Sequence, residues 1–163
     1  MAVKIKKQLG ASLVEILMAI GLITTTLVAL LAIVNFSIKV AGQSQVEYKA
    51  LSLAKEMMEA VRSFRDNSDW LTNGLNVLNL DVNYHLEQNG NPIKWALVAG
   101  LQTKDGFTQS IVFSAVRRDV NGNIVASGGN LDNYSKMARV KITWQDQGKT
   151  KQIQLDNLLT SWR

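Results

Sequence analysis

The chain has no cysteine, one proline (Pro92) and one histidine (His85). Without cysteine there is no disulfide framework and no thiolate chemistry, and a single imidazole excludes a multi-histidine metal site. From Ile16 to Ile38 there is neither a charged residue nor a proline. Recognisable catalytic patterns are equally scarce. His85 lies in Asn83-Tyr84-His85-Leu86-Glu87 with no nucleophile elbow nearby, so a surface or half-buried histidine is expected. Gly128-Gly129-Asn130 lacks the strand–glycine–helix context of a phosphate loop. These absences point away from an enzyme and from a bound cofactor.

What the sequence does have is 47% hydrophobic residues in 163, enough for one membrane-embedded helix and one modest soluble domain. A net charge of +5 suggests at first an affinity for nucleic acid or anionic lipid. Three of the basic residues, Lys4, Lys6 and Lys7, precede Gly10. Removing the segment up to Gly10 leaves 15 basic against 13 acidic residues, a net +2. The basic character therefore belongs largely to the extreme N-terminus.

Residues 16–38 would span roughly 35 Å as a helix, enough to cross a hydrocarbon core about 30 Å thick. The stretch is apolar from Ile20 to Phe36 except for Thr24, Thr25, Thr26 and Asn35, and threonine hydroxyls can bond back to the preceding turn. The run is too long for a secretory signal peptide, and Lys39-Val40-Ala41 after it places a lysine where a small residue is needed. The lysines ahead of it place the N-terminus in the cytoplasm and the C-terminal part outside. Glu15 stands at the cytoplasmic edge of this run. A charge near the centre of a spanning helix costs roughly 2.5–3.5 kcal/mol, and less near the interface, so an acid here is a functional candidate.

The segment Lys6-Lys7-Gln8-Leu9-Gly10, followed by Ala11-Ser12-Leu13-Val14-Glu15-Ile16-Leu17-Met18-Ala19-Ile20, resembles the processing signature of type IV prepilins and type II secretion pseudopilins. That signature is a short basic leader ending in Gly, an apolar stretch and a Glu fifth in the mature chain. Gly10 matches the residue before the cut, Ala11 the new N-terminus and Glu15 the fifth-position acid. The resemblance implies cleavage by a membrane-embedded prepilin peptidase and N-methylation of Ala11, which stands where the family usually has Phe. It further implies assembly with other pilin or pseudopilin subunits on an inner-membrane platform, Glu15 pairing with the N-terminal amine of a neighbour. Before assembly the partner of this helix is membrane lipid. A signal anchor that is never cut is the alternative.

Beyond the membrane, Val46, Ala50, Leu53, Met57, Val61 and Phe64 recur at spacings of three and four, widened by Ala54 and Met58. Charged residues occupy the other faces, and only Gly42 weakens the helix, by about 1 kcal/mol. Asp66-Asn67-Ser68-Asp69 is a polar stop. Residues 67–106 read as a variable loop region with turns at Asn73-Gly74, Asn89-Gly90-Asn91-Pro92 and Lys104-Asp105-Gly106, and a strand around Ile93, Trp95 and Leu97.

Phe107, Ile111, Phe113 and Ala115 predict a strand with those residues inward, closing at Arg117-Arg118. Ala138, Val140, Ile142 and Trp144 predict another, joined through Asp146-Gln147-Gly148-Lys149 to a strand with Ile153 and Leu155, as a hairpin. Leu158–Arg163 is expected to pack back on the sheet. The resulting organisation is a leader at 1–10, a transmembrane half-helix at 11–40, an amphipathic half at 41–66, a loop region at 67–106 and an antiparallel sheet of three or four strands at 107–163. The fold class is α+β, and the order of long helix, variable loop and sheet resembles the pilin-like fold.

Two further constellations bear on ligands. Asp119-Val120-Asn121-Gly122-Asn123 has Gly in the wrong position for an EF-hand and reads as a turn, with a weak calcium alternative around Asp119 and Asp132. Arg117, Arg118, Lys136, Arg139 and Lys141 read as part of a solvated sheet face. As a basic strip they would instead suit a DNA-uptake or adhesion subunit.

Overall fold

A computed structural model describes residues 9–91 and 93–161. Residues 1–8, Pro92, Trp162 and Arg163 lie outside the described residues, and with them most of the expected leader at 1–10. One helix, α1 (Leu9–Asp66), is followed by a short 3₁₀ turn (Leu75–Val77) and seven strands. These are β1 (Asn83–Asn89), β2 (Lys94–Ala99), β3 (Gln102–Lys104), β4 (Phe107–Arg118), β5 (Ile124–Val125), β6 (Asn130–Asp146) and β7 (Lys149–Thr160). The chain divides into two compact units, Met1–Gln45 and Val46–Arg163, with the boundary inside α1.

In the first unit the three threonines behave as their chemistry requires in an apolar helix. Thr24 Oγ1 donates to the carbonyls of Ile20 and Gly21, Thr25 Oγ1 to those of Gly21 and Leu22, and Thr26 Oγ1 to those of Leu22 and Ile23, all at 2.9–3.0 Å. Each hydroxyl is satisfied within its own helix, leaving only methyl groups to the surroundings. The helix is long and apolar enough to cross a membrane, with mean hydropathy 2.6 in its most apolar window.

In the second unit the helix residues Ala50, Ala54, Met57, Met58, Ala60 and Val61 are buried, whereas Val46, at the head of the expected stripe, is 38% exposed. They pack in one core with Tyr84, Ile111, Phe113, Val140, Ile142 and Leu159 from the sheet. The helix ends where the polar stop takes over its carbonyls. Ser68 Oγ donates to the Phe64 carbonyl at 2.7 Å and Asn67 Nδ2 to that of Ser63 at 2.8 Å. Asp69 Oδ1 then accepts from the amides of Leu71 and Thr72, opening the next turn.

The sheet is antiparallel, in the order β2-β1-β4-β6-β7, with β3 and β5 also paired to β4. Four of its seven strands, β4 to β7, lie in 107–163, where three or four are expected; β2 is the strand expected around Trp95, and β1 and β3 come from the region otherwise read as loop. Asn83–Asn89 is polar and lacks β-branched residues, yet its alternate residues Tyr84 and Leu86 are buried. The turns at Asp105-Gly106 and Gln147-Gly148 join β3–β4 and β6–β7, and all four residues have positive φ between 51° and 81°. That is the geometry of two-residue hairpins, whose twist matches the strands.

One inward assignment changes. Ala115 is exposed and Val116 is buried instead. Pairing runs from Ala115↔Lys136 directly to Val116↔Asp132, so Asn133, Tyr134 and Ser135 bulge out of the ladder. Three extra residues on β6 against none on β4 change which β6 residues share a face with β4 beyond this point. Leu158–Thr160 belong to β7 itself, with Leu159 fully buried.

Candidate functional site

Gly10, Ala11 and Glu15 lie on the first turns of α1. Ala11 and Glu15 are four residues apart, about one helical turn along the chain. Glu15 is exposed and has no ion-pair partner among the described residues. Its neighbours Leu13, Val14, Ile16, Leu17 and Met18 are 52–66% exposed. Within the chain this carboxylate thus stands on an apolar surface that nothing covers. Low screening in such surroundings makes a carboxylate a strong attractor for an ammonium from another molecule.

The apolar exposure continues along the helix. Fifteen large hydrophobic side chains from Leu13 to Phe36 are each at least 52% exposed. Fully covering a side chain of this type is worth roughly 1.5–3 kcal/mol, so the helix surface carries a large driving force for lipid or for other helices.

The candidate calcium loop is occupied by its own hydrogen bonds. Asp119 Oδ1 accepts from the amides of Asn121 and Asn123 at 2.9 and 2.8 Å, and Oδ2 from Asn123 Nδ2 at 3.1 Å. The Asn123 bonds hold its carboxyl below the usual carboxylate range. Gly122, with φ +82°, completes the turn. Asp132 is taken up elsewhere, and no group of three His, Cys, Asp or Glu side chains among the described residues could hold a metal.

The five basic residues do not form one strip. Arg118 Nε donates to Asp132 Oδ2 at 2.7 Å, and Arg139 Nε to Asp156 Oδ1 at 3.2 Å. Lys136 is buried, its Nζ near the carbonyls of Asn76 and Leu78 at 3.4 and 3.5 Å, and burial pushes its pKa down. It shares the core-facing side of β6 with Ala138 and Val140, while Arg139 and Lys141 lie on the opposite side. The alternation of β6 could have located Lys136, since it is in phase with Ala138, but its charge argued for solvent.

His85 is half-buried on β1, with Nε2 3.1 Å from Glu87 Oε1 and Nδ1 3.4 Å from the Gly100 carbonyl. Lys151 reaches Glu47 Oε1 at 3.0 Å and Asp146 Oδ2 at 3.1 Å, and these bonds, that to Glu47 foremost, raise its pKa. Both are polar links within the second unit. Comparison with protein-family models, with curated proteins and with solved structures found no match to this chain.

Proposed function

We propose that the chain is a pilin-like structural subunit of a type IV pilus or type II secretion pseudopilus, trimmed between Gly10 and Ala11 and assembled through its N-terminal helix. The observation that carries this reading is Glu15. It is an acid on a helix otherwise uncharged from Leu13 to Phe36, four residues after the position where cleavage would create a new amine.

In this reading the subunit waits in the inner membrane with its N-terminus in the cytoplasm and its sheet domain outside. A prepilin peptidase removes the leader and exposes the Ala11 amine, the site of N-methylation in the family. An assembly platform then draws the helix from lipid into a bundle of like helices. Loss of lipid contacts is offset by packing of the apolar side chains against neighbours. The Glu15 carboxylate meets the Ala11 amine of an adjacent subunit, so that neither charge is buried alone. The side-chain bonds of the threonines leave no free hydroxyl to be desolvated along the way.

The DNA-uptake alternative depends on a continuous basic strip, and the pairing of Arg118 and Arg139 with the burial of Lys136 argues against one. Replacement of Gly10 tests the leading reading. Gly10→Val should leave a full-length membrane protein retaining its leader, detected by its mass. A mature-sized product from this variant would refute it.

A further inference from the structure

One edge of β4 is shared by two strands. Asn83 and Tyr84 of β1 pair with Val112 and Ile111, and Gln102–Lys104 of β3 pairs with Gln109–Phe107 of the same edge. Both neighbours run antiparallel to β4 and hence parallel to each other. After Tyr84, Ser110 of β4 is paired by neither strand and Gln109 is already taken by β3, so β1 leaves the ladder and continues only beside β2.

The main-chain groups freed by this split can be named. Asn83 accepts from the Gly100 amide at 2.8 Å, which places residues 83, 85, 87 and 89 toward β2. By the two-residue period, Leu86 and Gln88 turn their N–H and C=O the other way, toward β3. In the β3–β4 hairpin the closing pair Lys104↔Phe107 is bonded, so Thr103 faces away from β4. Two strand edges therefore look across a cleft of about 540 Å³.

The cleft has a chemical character of its own. Leu53, Met57 and Ala60 of the helix, with Leu86 and Trp95, give it apolar lining. Glu56, Glu87 and Asp105 also line it, against one cation, Lys104. An extended chain placed here would turn alternate side chains toward the helix, where Met57 and Glu56 stand, and toward the opposite side of the sheet, where Glu87 stands.

From this geometry we propose that the cleft between β1 and β3 is a strand-addition site. Its occupant is an extended polypeptide segment, contributed by another protein, in which apolar and basic residues alternate. The segment bonds to Leu86 and Gln88 on one side and to Thr103 on the other. Its apolar side chains settle against Trp95 and Met57 on the helix side, and its lysines or arginines face Glu87 on the other side of the sheet. The site lies in the unit Val46–Arg163 and does not depend on how the N-terminal helix is used.

The probe is the blocked hexapeptide Val-Lys-Val-Lys-Val-Lys, added to the full chain in detergent micelles, with Val-Glu-Val-Glu-Val-Glu as control. Amide hydrogen exchange at Leu86, Gln88 and Thr103 should slow at least tenfold with the basic peptide and stay unchanged with the acidic one. Glu87→Lys reverses the charge of an exposed residue on that outer side and should weaken binding about tenfold. Gln88→Pro removes an amide that faces the cleft and is not bonded to β2, so it should abolish protection at Thr103 while β2 amides keep theirs. Equal protection by both peptides, or no protection at millimolar basic peptide, overturns the proposal. Undiminished binding to Glu87→Lys would also overturn it.

Discussion

Arg118 and Asp132 meet across the β4–β6 pairing at 2.7 Å, at the edge of a three-residue bulge in β6. The bulge is fastened on three sides. The Asn133 carbonyl accepts from Trp70 Nε1 at 2.9 Å, the Tyr134 carbonyl from the Ser161 amide at 2.8 Å, and Asp132 Oδ1 from the Tyr134 amide at 2.9 Å. One irregularity in the sheet thus ties together the segment after α1, the end of β7 and the turn beyond β4.

Asp132→Asn should lower stability by about 1 kcal/mol at pH 7, discounted for the partial exposure of the pair. The Arg118 hydrogen bond holds the Asp132 carboxyl below its ordinary value. Its contribution is therefore present above about pH 4 and is lost as pH falls through the lower folded-state value. Denaturant unfolding at pH 7 and in acid should show the gap between wild type and variant closing in acid.

Lys136 also gives a stability that rises with pH, in its case because burial penalises its charged form. Burial lowers its pKa from 10.5, so between the folded value and 10.5 the unfolded chain binds the extra proton and stability rises with pH. Lys136→Met should flatten that rise between pH 7 and pH 10, measured by unfolding midpoints. Lys151, whose pKa is raised, keeps its contribution across this range and loses it only above 10.5.

Gly148 offers a purely conformational test. It has φ +77°, and a Cβ built there meets no atom within 4 Å. Gly148→Ala should cost about 1 kcal/mol through the left-handed backbone alone. Gln147, at φ +51°, should be improved by Asn, which tolerates that region better. Thermal unfolding of the two variants should shift in opposite directions.

Glu15→Ala should be processed normally yet fail to enter filaments. Fractionation of sheared filaments from cells checks this. Assembly at wild-type level would remove the role proposed for the carboxylate.

Much of the fold is written in local pattern. The 3.6-residue stripe around Met57 and Val61 and the alternation of Ala138, Val140, Ile142 and Trp144 both lead to the buried faces observed. So does the polar stop at Asp66–Asp69. Ala115 breaks the inward pattern beside a bulge that lies on β6, in no window on β4. Tyr84 and Leu86 alternate correctly, but their polar neighbours and the nearby turns disguise a strand. Lys136 is hidden for a different reason, since its burial depends on carbonyls sixty residues away in sequence. The residues of the N-terminal signature are legible for the converse reason, because their proposed role depends on spacing along one helix and on no tertiary contact.

The central claim is the cut after Gly10, and the intact mass of the membrane-extracted chain tests it most directly. The account predicts a polypeptide beginning at Ala11, with one methyl group added if the amine is modified as in the family. A chain that still begins with the leader, in cells carrying an active prepilin peptidase, would contradict it.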